Sequence, residues 1–564
     1  PPPRCLSPFF RPPGKGDRHR RRNPFAHRHI ERGDGASPLS NPNPQIPKSP
    51  APMDYLVGID LGSTNLKAVI YDAEGRAVAR ASRPTEQCHP DADHPEWTVW
   101  RPEQIWGGVA ELLQEAIAGL DDRRAIRGVA VTGMGMDGLP VAADGSWLYP
   151  LISWHCPRTE PQHRWWLEHV GAERQFSIGG NQLWVFNTAL RLLWMGEHEP
   201  EILRRAEKWL LIEDFVNFML CGRYATDYSM ASTTLLFDQR RRTWSDELLA
   251  VSGIDRRLLC EVLPSGTVLG EVHAAAAGAT GLPAGTPVVL GGHDYCCGAL
   301  PTGAFRPGVV LDVLGTWEMV VTALAEPVLT PAVRQMGILV DSHVARGTWT
   351  AMGATVAADM LEWFARTCGH AACASAGGVD WPGLMARAAA SPPGANGVLF
   401  LPHMSGSHCP IVDHRSLGAF AGLRNVVTEG DMLRAVIEGL DYQFLQIVRG
   451  FELGLGVRPE RIVAVGGPTR NDLWMQNKAD VMGRPVEVPQ LDEAVPLGAA
   501  LLAGIGVGIY RDEQDALERV WKPGRIFEPD PRRAAEYAER FALFEQLYPA
   551  LRELNSRLHD RAGG

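Results

Sequence analysis

Two short segments of the chain carry the residue types that handle polyphosphates. In the first, Val57-Gly58-Ile59-Asp60 runs as a strand into Leu61-Gly62-Ser63-Thr64 and returns as Leu66-Lys67-Ala68-Val69-Ile70. In the second, Val309-Val310-Leu311-Asp312-Val313 meets Leu314-Gly315-Thr316 and returns as Trp317-Glu318-Met319-Val320-Val321. Each reads as a β-hairpin whose tight turn presents backbone N–H groups and a hydroxyl, which is what a phosphate-binding loop needs. Lys67, three residues past Thr64, adds a candidate point charge. Either hairpin alone is a weak signal. The pair, about 250 residues apart at equivalent places in two halves, predicts a duplicated fold with a nucleotide in the cleft between them.

Two carboxylates stand where substrate chemistry needs them. Asp294 follows the apolar strand Val288-Val289-Leu290 and Gly291-Gly292-His293, so it sits at a strand end, placed to take a proton from a substrate hydroxyl. Asp137, within Gly133-Met134-Gly135-Met136-Asp137-Gly138, also follows a strand and can accept hydrogen bonds from a polyol. Local sequence fits a turn aspartate equally well at both positions. The formal GxGxxG around Asp137 is not a dinucleotide fingerprint, because Leu139 to Gly145 reads as strand then turn where a helix should begin. No GxxxxGK[ST] occurs, which excludes a P-loop enzyme. His403, His408, Cys409, Asp413 and His414 match no zinc spacing and read as a solvated loop.

Elements that can position these residues follow from periodicity. Apolar residues at helical spacing predict a helix over 102–120, and Arg127 to Thr132 reads as a strand. A helical middle spans about Arg158 to Leu220, including Trp209 to Leu220. Residues 391–417 are loop-rich, Glu429 to about Phe451 is a helix, and Ile462 to Val465 is a strand ending in Gly466-Gly467. Ala494 to Tyr510 reads as a buried helix with a glycine-rich face, too short and broken for a bilayer. Pro531 to Arg561 reads as a charged helical tail. Alternating strands and amphipathic helices predict helix-covered sheets, an α/β architecture.

The 564 residues allow two or three domains with sizeable cores. The net charge of −10 hides a split: residues 1–52 hold ten Lys/Arg against three Asp/Glu, and the remainder is correspondingly more acidic. An acidic body is a poor binder of nucleic-acid backbones, and a polyanionic nucleotide there needs backbone amides, a lysine or Mg2+. Ten scattered cysteines without a CxxC point to reduced thiols and a cytoplasmic setting. Thirteen prolines and Arg18-His19-Arg20-Arg21-Arg22 leave residues 1–52 without core-forming periodicity; they read as a disordered leader translated from upstream of the start at Met53.

Taken together, the segments resemble the FGGY family of carbohydrate kinases. The resemblance runs from about Asp54 to about Phe527. It is carried by Asp60-Leu61-Gly62-Ser63-Thr64, Gly291-Gly292-His293-Asp294, Leu314-Gly315-Thr316-Trp317-Glu318, Gly397 to Pro402, Val465 to Trp474 and Glu493 to Ala500. It implies a duplicated actin-like, hexokinase-type ATPase fold (ribonuclease H-like) with a central cleft. The implied parts are a sugar-binding domain at 53–303, a nucleotide-binding domain at 304–527 and a helical tail at 528–564. It further implies ATP and Mg2+, with Asp294 as general base and Asp60 and Asp294 at the metal. Gly62, Ser63, Thr64, Lys67, Gly315 and Thr316 would hold phosphates, Gly466, Gly467 and Asn471 the adenosine, and Asp137, Trp154, Arg158 and Asp294 the sugar.

Within the family, Gly135-Met136-Asp137-Gly138, Ile152-Ser153-Trp154-His155-Cys156-Pro157-Arg158-Thr159 and the Gly-Thr-Trp-Glu turn at 315–318 resemble L-fuculokinases more than xylulokinases. The expected partners are therefore a ketose, L-fuculose first, and ATP, without nucleic acid or membrane, in a chain that pairs as a homodimer. A xylulokinase or another polyol kinase is the alternative, and an actin-like ATPase or a catalytically silent sugar-binding regulator is the rival of another class.

Overall fold

The computed structural model describes residues 54–368 and 379–561, so the leader at 1–52 lies outside the described residues. The first half is built on β1 (Tyr55–Leu61), β2 (Asn65–Asp72), β3 (Ala77–Pro84), β4 (Ile126–Gly133), β5 (Val268–Glu271) and β6 (Pro287–His293). They form one sheet in the order β5-β6-β4-β1-β2-β3. β1, β2 and β3 are antiparallel neighbours, whereas β4 joins β1 and β6 joins β4 in parallel.

The second half repeats this pattern with β7 (Val309–Leu314), β8 (Trp317–Leu324), β9 (Leu339–Ser342), β10 (Trp349–Val356), β11 (Arg461–Val465), β12 (Val486–Val488) and β13 (Arg525–Phe527). Their order is β9-β10-β8-β7-β11-β12-β13. Three antiparallel strands, β10-β8-β7, are again followed by two parallel ones, β11 and β12. The same five-strand order in both halves is the duplication that the two Leu-Gly-Ser/Thr turns predict.

β1 is buried along its whole length, which fits its apolar run and its central place, with helices on both sides of the sheet. Helix α1 (Pro102–Ala118) covers β2 and β3 with Ile105, Val109, Leu112, Leu113 and Ile117, its proline in the first turn where no N–H is missed. The middle section departs from the helical expectation at one point. Lys208–Leu211 is a strand of a small four-stranded sheet with Gly138–Val141, and the helix begins only at Ile212. An apolar run of this length has no periodicity that separates strand from helix. The strand at Gly138–Val141 also removes any dinucleotide fold there. The loop at 391–417 is more packed than expected: His403, Ser407, Cys409 and Ser416 are buried, and His403 Nδ1 lies 2.8 Å from Ser416 Oγ.

Four further helices matter for the site: α2 (Asp294–Ala299), α3 (Glu429–Leu455), α4 (Asp472–Met482) and α5 (Ala494–Gly506). α5 is the glycine-rich buried helix expected from the sequence. It belongs in sequence to the second half yet packs on β1, β4 and β6 of the first sheet and on α2. The approach is backbone to backbone. A Cβ on Gly498 would lie 1.8 Å from the Cys297 carbonyl oxygen, and one on Gly58 1.9 Å from that of Pro496. One apolar cluster accordingly draws on both sheets, with Leu56, Ala130 and Val289 beside Leu311, Val463 and Leu501.

Gly498→Ala should therefore destabilise the chain by about 3 kcal/mol, the cost of overpacking a rigid contact. Gly278→Ala, in the exposed helix Ala274–Thr280 with nothing within 4 Å of the new Cβ, should stabilise by up to about 1 kcal/mol. Urea unfolding of both variants checks the contrast.

Candidate active site

The turns of the two hairpins are held in the same way. Thr85, just past β3, donates its N–H to the Thr64 carbonyl at 2.9 Å and its hydroxyl to the Gly62 carbonyl at 2.6 Å. Ala357 and Ala358, just past β10, donate their N–H groups to the carbonyls of Thr316 and Gly315 at 2.9 and 3.1 Å. A planar trans peptide points its N–H away from its carbonyl. Tying the Gly62 and Gly315 carbonyls to the third strand therefore turns the Ser63 and Thr316 amides to the opposite side. This is the arrangement a phosphate requires.

Lys67 is not a free point charge. Its Nζ lies 2.8 Å from Glu493 Oε2, immediately before α5, so it bridges the first hairpin to the second half. Asp60, at the end of β1, is almost wholly buried. Loss of hydration and the neighbouring Asp294 charge push its carboxyl up to about 7, against a partial pull from Lys67. Asp60 and Asp294, neighbouring carboxyl groups, are a hard-oxygen donor pair suited to Mg2+, which takes one or two protein carboxylates alongside phosphate oxygens. Among the described residues no group of three or more His, Cys, Asp or Glu is placed to hold a metal ion.

Asp294 opens α2, and its side chain remains about a third exposed (36%). Its Oδ1 accepts the Tyr295 N–H at 2.6 Å and lies 2.7 Å from His293 Nδ1. His293 is fixed in turn: its N–H donates to Ser229 Oγ at 2.8 Å, and the Ser229 hydroxyl and N–H both donate to buried Asp227. Burial disfavours the imidazolium, but Asp294, Asp341 and Asp227 outweigh it and hold the His293 ring above its ordinary value. One carboxylate oxygen is thus pinned by groups that sequence reading did not single out, with Ser229 and Asp227 far away in the chain.

The sugar-side residues divide. Asp137 is fully buried, paired with Arg191 Nη2 at 3.0 Å and accepting from Trp100 Nε1 at 2.6 Å and from the Trp154 backbone. Burial raises its carboxyl to about 6 in spite of these partners. Arg158 is buried too, its guanidinium 4.5 Å over Trp97 and 4.9 Å over Trp194, with Nη1 donating to Tyr149 at 3.2 Å. Both side chains are enclosed by these protein partners. Trp154 is half-buried and forms an aromatic wall with Phe186, ring centroids 6.1 Å apart, and through it with Trp184 at 5.4 Å. Trp184 and Phe186 escaped the sequence reading because nothing in Leu183-Trp184-Val185-Phe186 distinguishes a wall from a core strand.

In the second half, a cavity of about 770 Å³ is lined by Leu314, Gly315, Thr316, Gly467 and Asn471 together with Ala358, Trp381, Met385 and Trp474. It brings the second phosphate turn against the segment expected to hold adenosine. Gly466 lies behind its wall. At φ +108°, with a would-be Cβ 2.1 Å from the Leu314 carbonyl oxygen, it admits no side chain. Asn471 caps α4 by accepting the Trp474 N–H and donates to Met385 Sδ at 2.9 Å.

Residues 55–301 match the model of the FGGY family of carbohydrate kinases, N-terminal domain, and residues 311–507 that of the C-terminal domain. The chain is 31% identical to an L-fuculokinase of Escherichia coli strain K12 over 476 residues, 84% of this chain and 97% of that one. The chain belongs to the FGGY family of carbohydrate kinases. A xylulose kinase of Bacillus subtilis strain 168 is 28% identical over 510 residues, covering 90% and 99% of the two chains. The crystal structure of a xylulose kinase from Rhodospirillum rubrum superposes with a TM-score of 0.81 at 29% identity, covering 89% and 99%. The fold is thus the two-domain FGGY kinase form of the actin-like ATPases, and the chain is a sugar kinase. Among the described residues no helix is long and apolar enough to cross a membrane.

Asp60 gives a pH test. Folding lifts its carboxyl from 3.8 to about 7, so the native state binds the proton more tightly than the unfolded chain. Its contribution to stability is present below pH 4 and is lost as pH rises through about 7. Without divalent cations, Asp60→Asn should melt higher than wild type at pH 8 and at the same temperature near pH 4, which a Tm–pH series checks.

Proposed function

We propose that this kinase transfers the γ-phosphoryl group of ATP to a hydroxyl of a ketose, L-fuculose or a sugar with its hydroxyl configuration. The observation that carries the transfer step is the half-open Asp294 carboxylate, pinned through Oδ1 and neighbouring Asp60 of the first hairpin. Asp294 takes the proton of the sugar hydroxyl as that oxygen attacks the γ-phosphorus in line, and the bond to the leaving ADP oxygen breaks. Asp60 and Asp294 would hold Mg2+, which neutralises charge on the phosphates when bound. Ser63, Thr64 and Thr316 cradle the phosphates from the two halves, and the cavity at Gly467 and Asn471 takes the adenosine.

For the sugar, the support is the segment Ile152 to Thr159 and Asp137, alike in L-fuculokinases, read with the geometry around them. Trp154 and Phe186 offer apolar ring faces to the sugar. Asp137 acts beneath them: by accepting the Trp154 N–H while paired with Arg191, it fixes the turn that carries the ring. Arg158, boxed between Trp97 and Trp194, does the same from the other side. A site positioned this firmly discriminates among sugars through misplaced hydroxyls.

The experiment is coupled ATP turnover on L-fuculose, D-xylulose and glycerol in competition. L-Fuculose should give the highest kcat/KM, and Asp294→Asn should lower its turnover by about 10²-fold or more with ATP affinity within a few-fold. Preference for D-xylulose would overturn the sugar assignment and leave the kinase intact. Near-normal turnover in Asp294→Asn would remove that residue from the reaction.

A further inference from the structure

The Gly-Thr-Trp-Glu turn ends in a residue that does not face the cleft. Glu318 is wholly buried, and so are Asp312, Asp441 and Lys478. Lys478 Nζ lies 2.5 Å from Asp312 Oδ2, in contact with Glu318 Oε1, and 3.8 Å from Asp441 Oδ1. It also sits 4.0 Å from the centre of the Phe444 ring. Three elements meet at this one cation: the β7–β8 hairpin, α4 and α3.

Register explains why the two hairpin carboxyls face the same way. Leu314 pairs with Glu318 across the β7–β8 ladder, and Asp312 is two residues before Leu314. Cross-strand partners and residues two apart share a face, so Asp312 and Glu318 both point toward α4, which carries Lys478. The next residues along each element line the nucleotide cavity. Leu314, Gly315 and Thr316 come from the hairpin, and Asn471, Asp472 and Trp474 from the start of α4. Trp474 is tied to the same cluster, its Nε1 donating to Asp441 Oδ1 at 2.9 Å, while Asn477 Nδ2 donates to Asp441 Oδ2 at 2.7 Å.

Stability alone does not account for such a cluster. Desolvating a cation and several carboxyls costs about what their attraction returns, and well-packed apolar residues of the same volume serve as well or better. What the ions add is direction: a helix that slid or rotated on the sheet would leave buried charges unpaired. We propose that Lys478 is a positioning residue for the nucleotide, clamping the phosphate turn at 314–316 to the adenosine-side helix through Asp312 and Glu318. This rests on the nucleotide reading of the cavity. A shift of the two walls by a fraction of an ångström would misplace phosphate donors relative to the base, leaving the sugar side in the first half untouched.

The test uses the full chain, with isothermal titration of ADP and steady-state kinetics on the best sugar of the panel. Glu318→Gln keeps the shape and removes one tether. The triple change Asp312→Asn, Glu318→Gln, Lys478→Met removes the ionic clamp while leaving no buried cation unpaired. Ala358→Trp fills the cavity and tests the underlying reading. The expected result is loss of ADP binding in Ala358→Trp, and weakening by about tenfold or more in both clamp variants with sugar KM within twofold of wild type. Unchanged ADP binding in Ala358→Trp would refute the nucleotide reading, and the clamp with it. Loss in Ala358→Trp but ADP affinity within twofold in the folded clamp variants would overturn the clamp alone. A parallel loss of ADP and sugar affinity would also overturn it, since a general structural role moves both. Should the triple variant not fold, Glu318→Gln decides by the same criteria.

Discussion

A peptide oxygen on Cys297 occupies the space a side chain on residue 498 would need, and the architecture of the site depends on that contact. α2 begins with Asp294 and α5 is preceded by Glu493, so the two helices carry that carboxylate and the partner of Lys67 into one place. Helices can cross this closely only where one lacks a Cβ. The first hairpin is then locked to the second half by a charge pair and by the Tyr71 hydroxyl on the Glu493 carbonyl. Dispersion and burial set the distance between the halves, and electrostatics at the rim sets their register. The site is accordingly a property of the crossing rather than of either half.

Buried charge is used twice with the same logic. Asp137 with Arg191 in the first half, and Lys478 with Asp312 and Glu318 in the second, lie beneath a surface turn rather than in it. In each case the group that meets solvent is held through its backbone or its ladder partner. Paired charges inside a protein are poor sources of stability but strong specifiers of geometry, since any slip strands an ion in low dielectric. A kinase whose transition state is stabilised mainly by placement has reason to invest in such fixtures.

The hairpins, the repeat and the carboxylate at the end of β6 were legible in the sequence because their signals are local: a Leu-Gly-Ser/Thr turn, an Asp after an apolar strand, a glycine-rich helix. The strand at Lys208–Leu211 was not, since three apolar residues ahead of a helix have no period of their own. The fates of Asp137 and Arg158 were also hidden. Their partners Trp100, Arg191, Trp97 and Trp194 are distant in the chain, and only the fold reveals that both are enclosed. Lys67 looked like a phosphate ligand because Glu493, 426 residues away, is not visible from its neighbourhood. Glu318 is the sharpest case, a motif residue next to the cleft that turns inward toward Lys478.

The outer strand β9 adds a different kind of constraint. Although it belongs to the second sheet, the Val340 N–H donates to the Gly180 carbonyl at 2.9 Å, the Ser342 N–H to Ser232 Oγ at 3.1 Å, and Asn181 Nδ2 to Asp341 at 3.1 Å, all across to the first half. Gly180, at φ +70° with a would-be Cβ 2.0 Å from the Val340 carbonyl oxygen, keeps that seam tight. Continued by the Tyr295 hydroxyl on Asp341 at 3.0 Å, the seam gives the segment that carries Asp294 an anchor on the opposite half, so a change in β9 reaches Asp294 through two hydrogen bonds, Asp341 to Tyr295 and Tyr295 to Asp294.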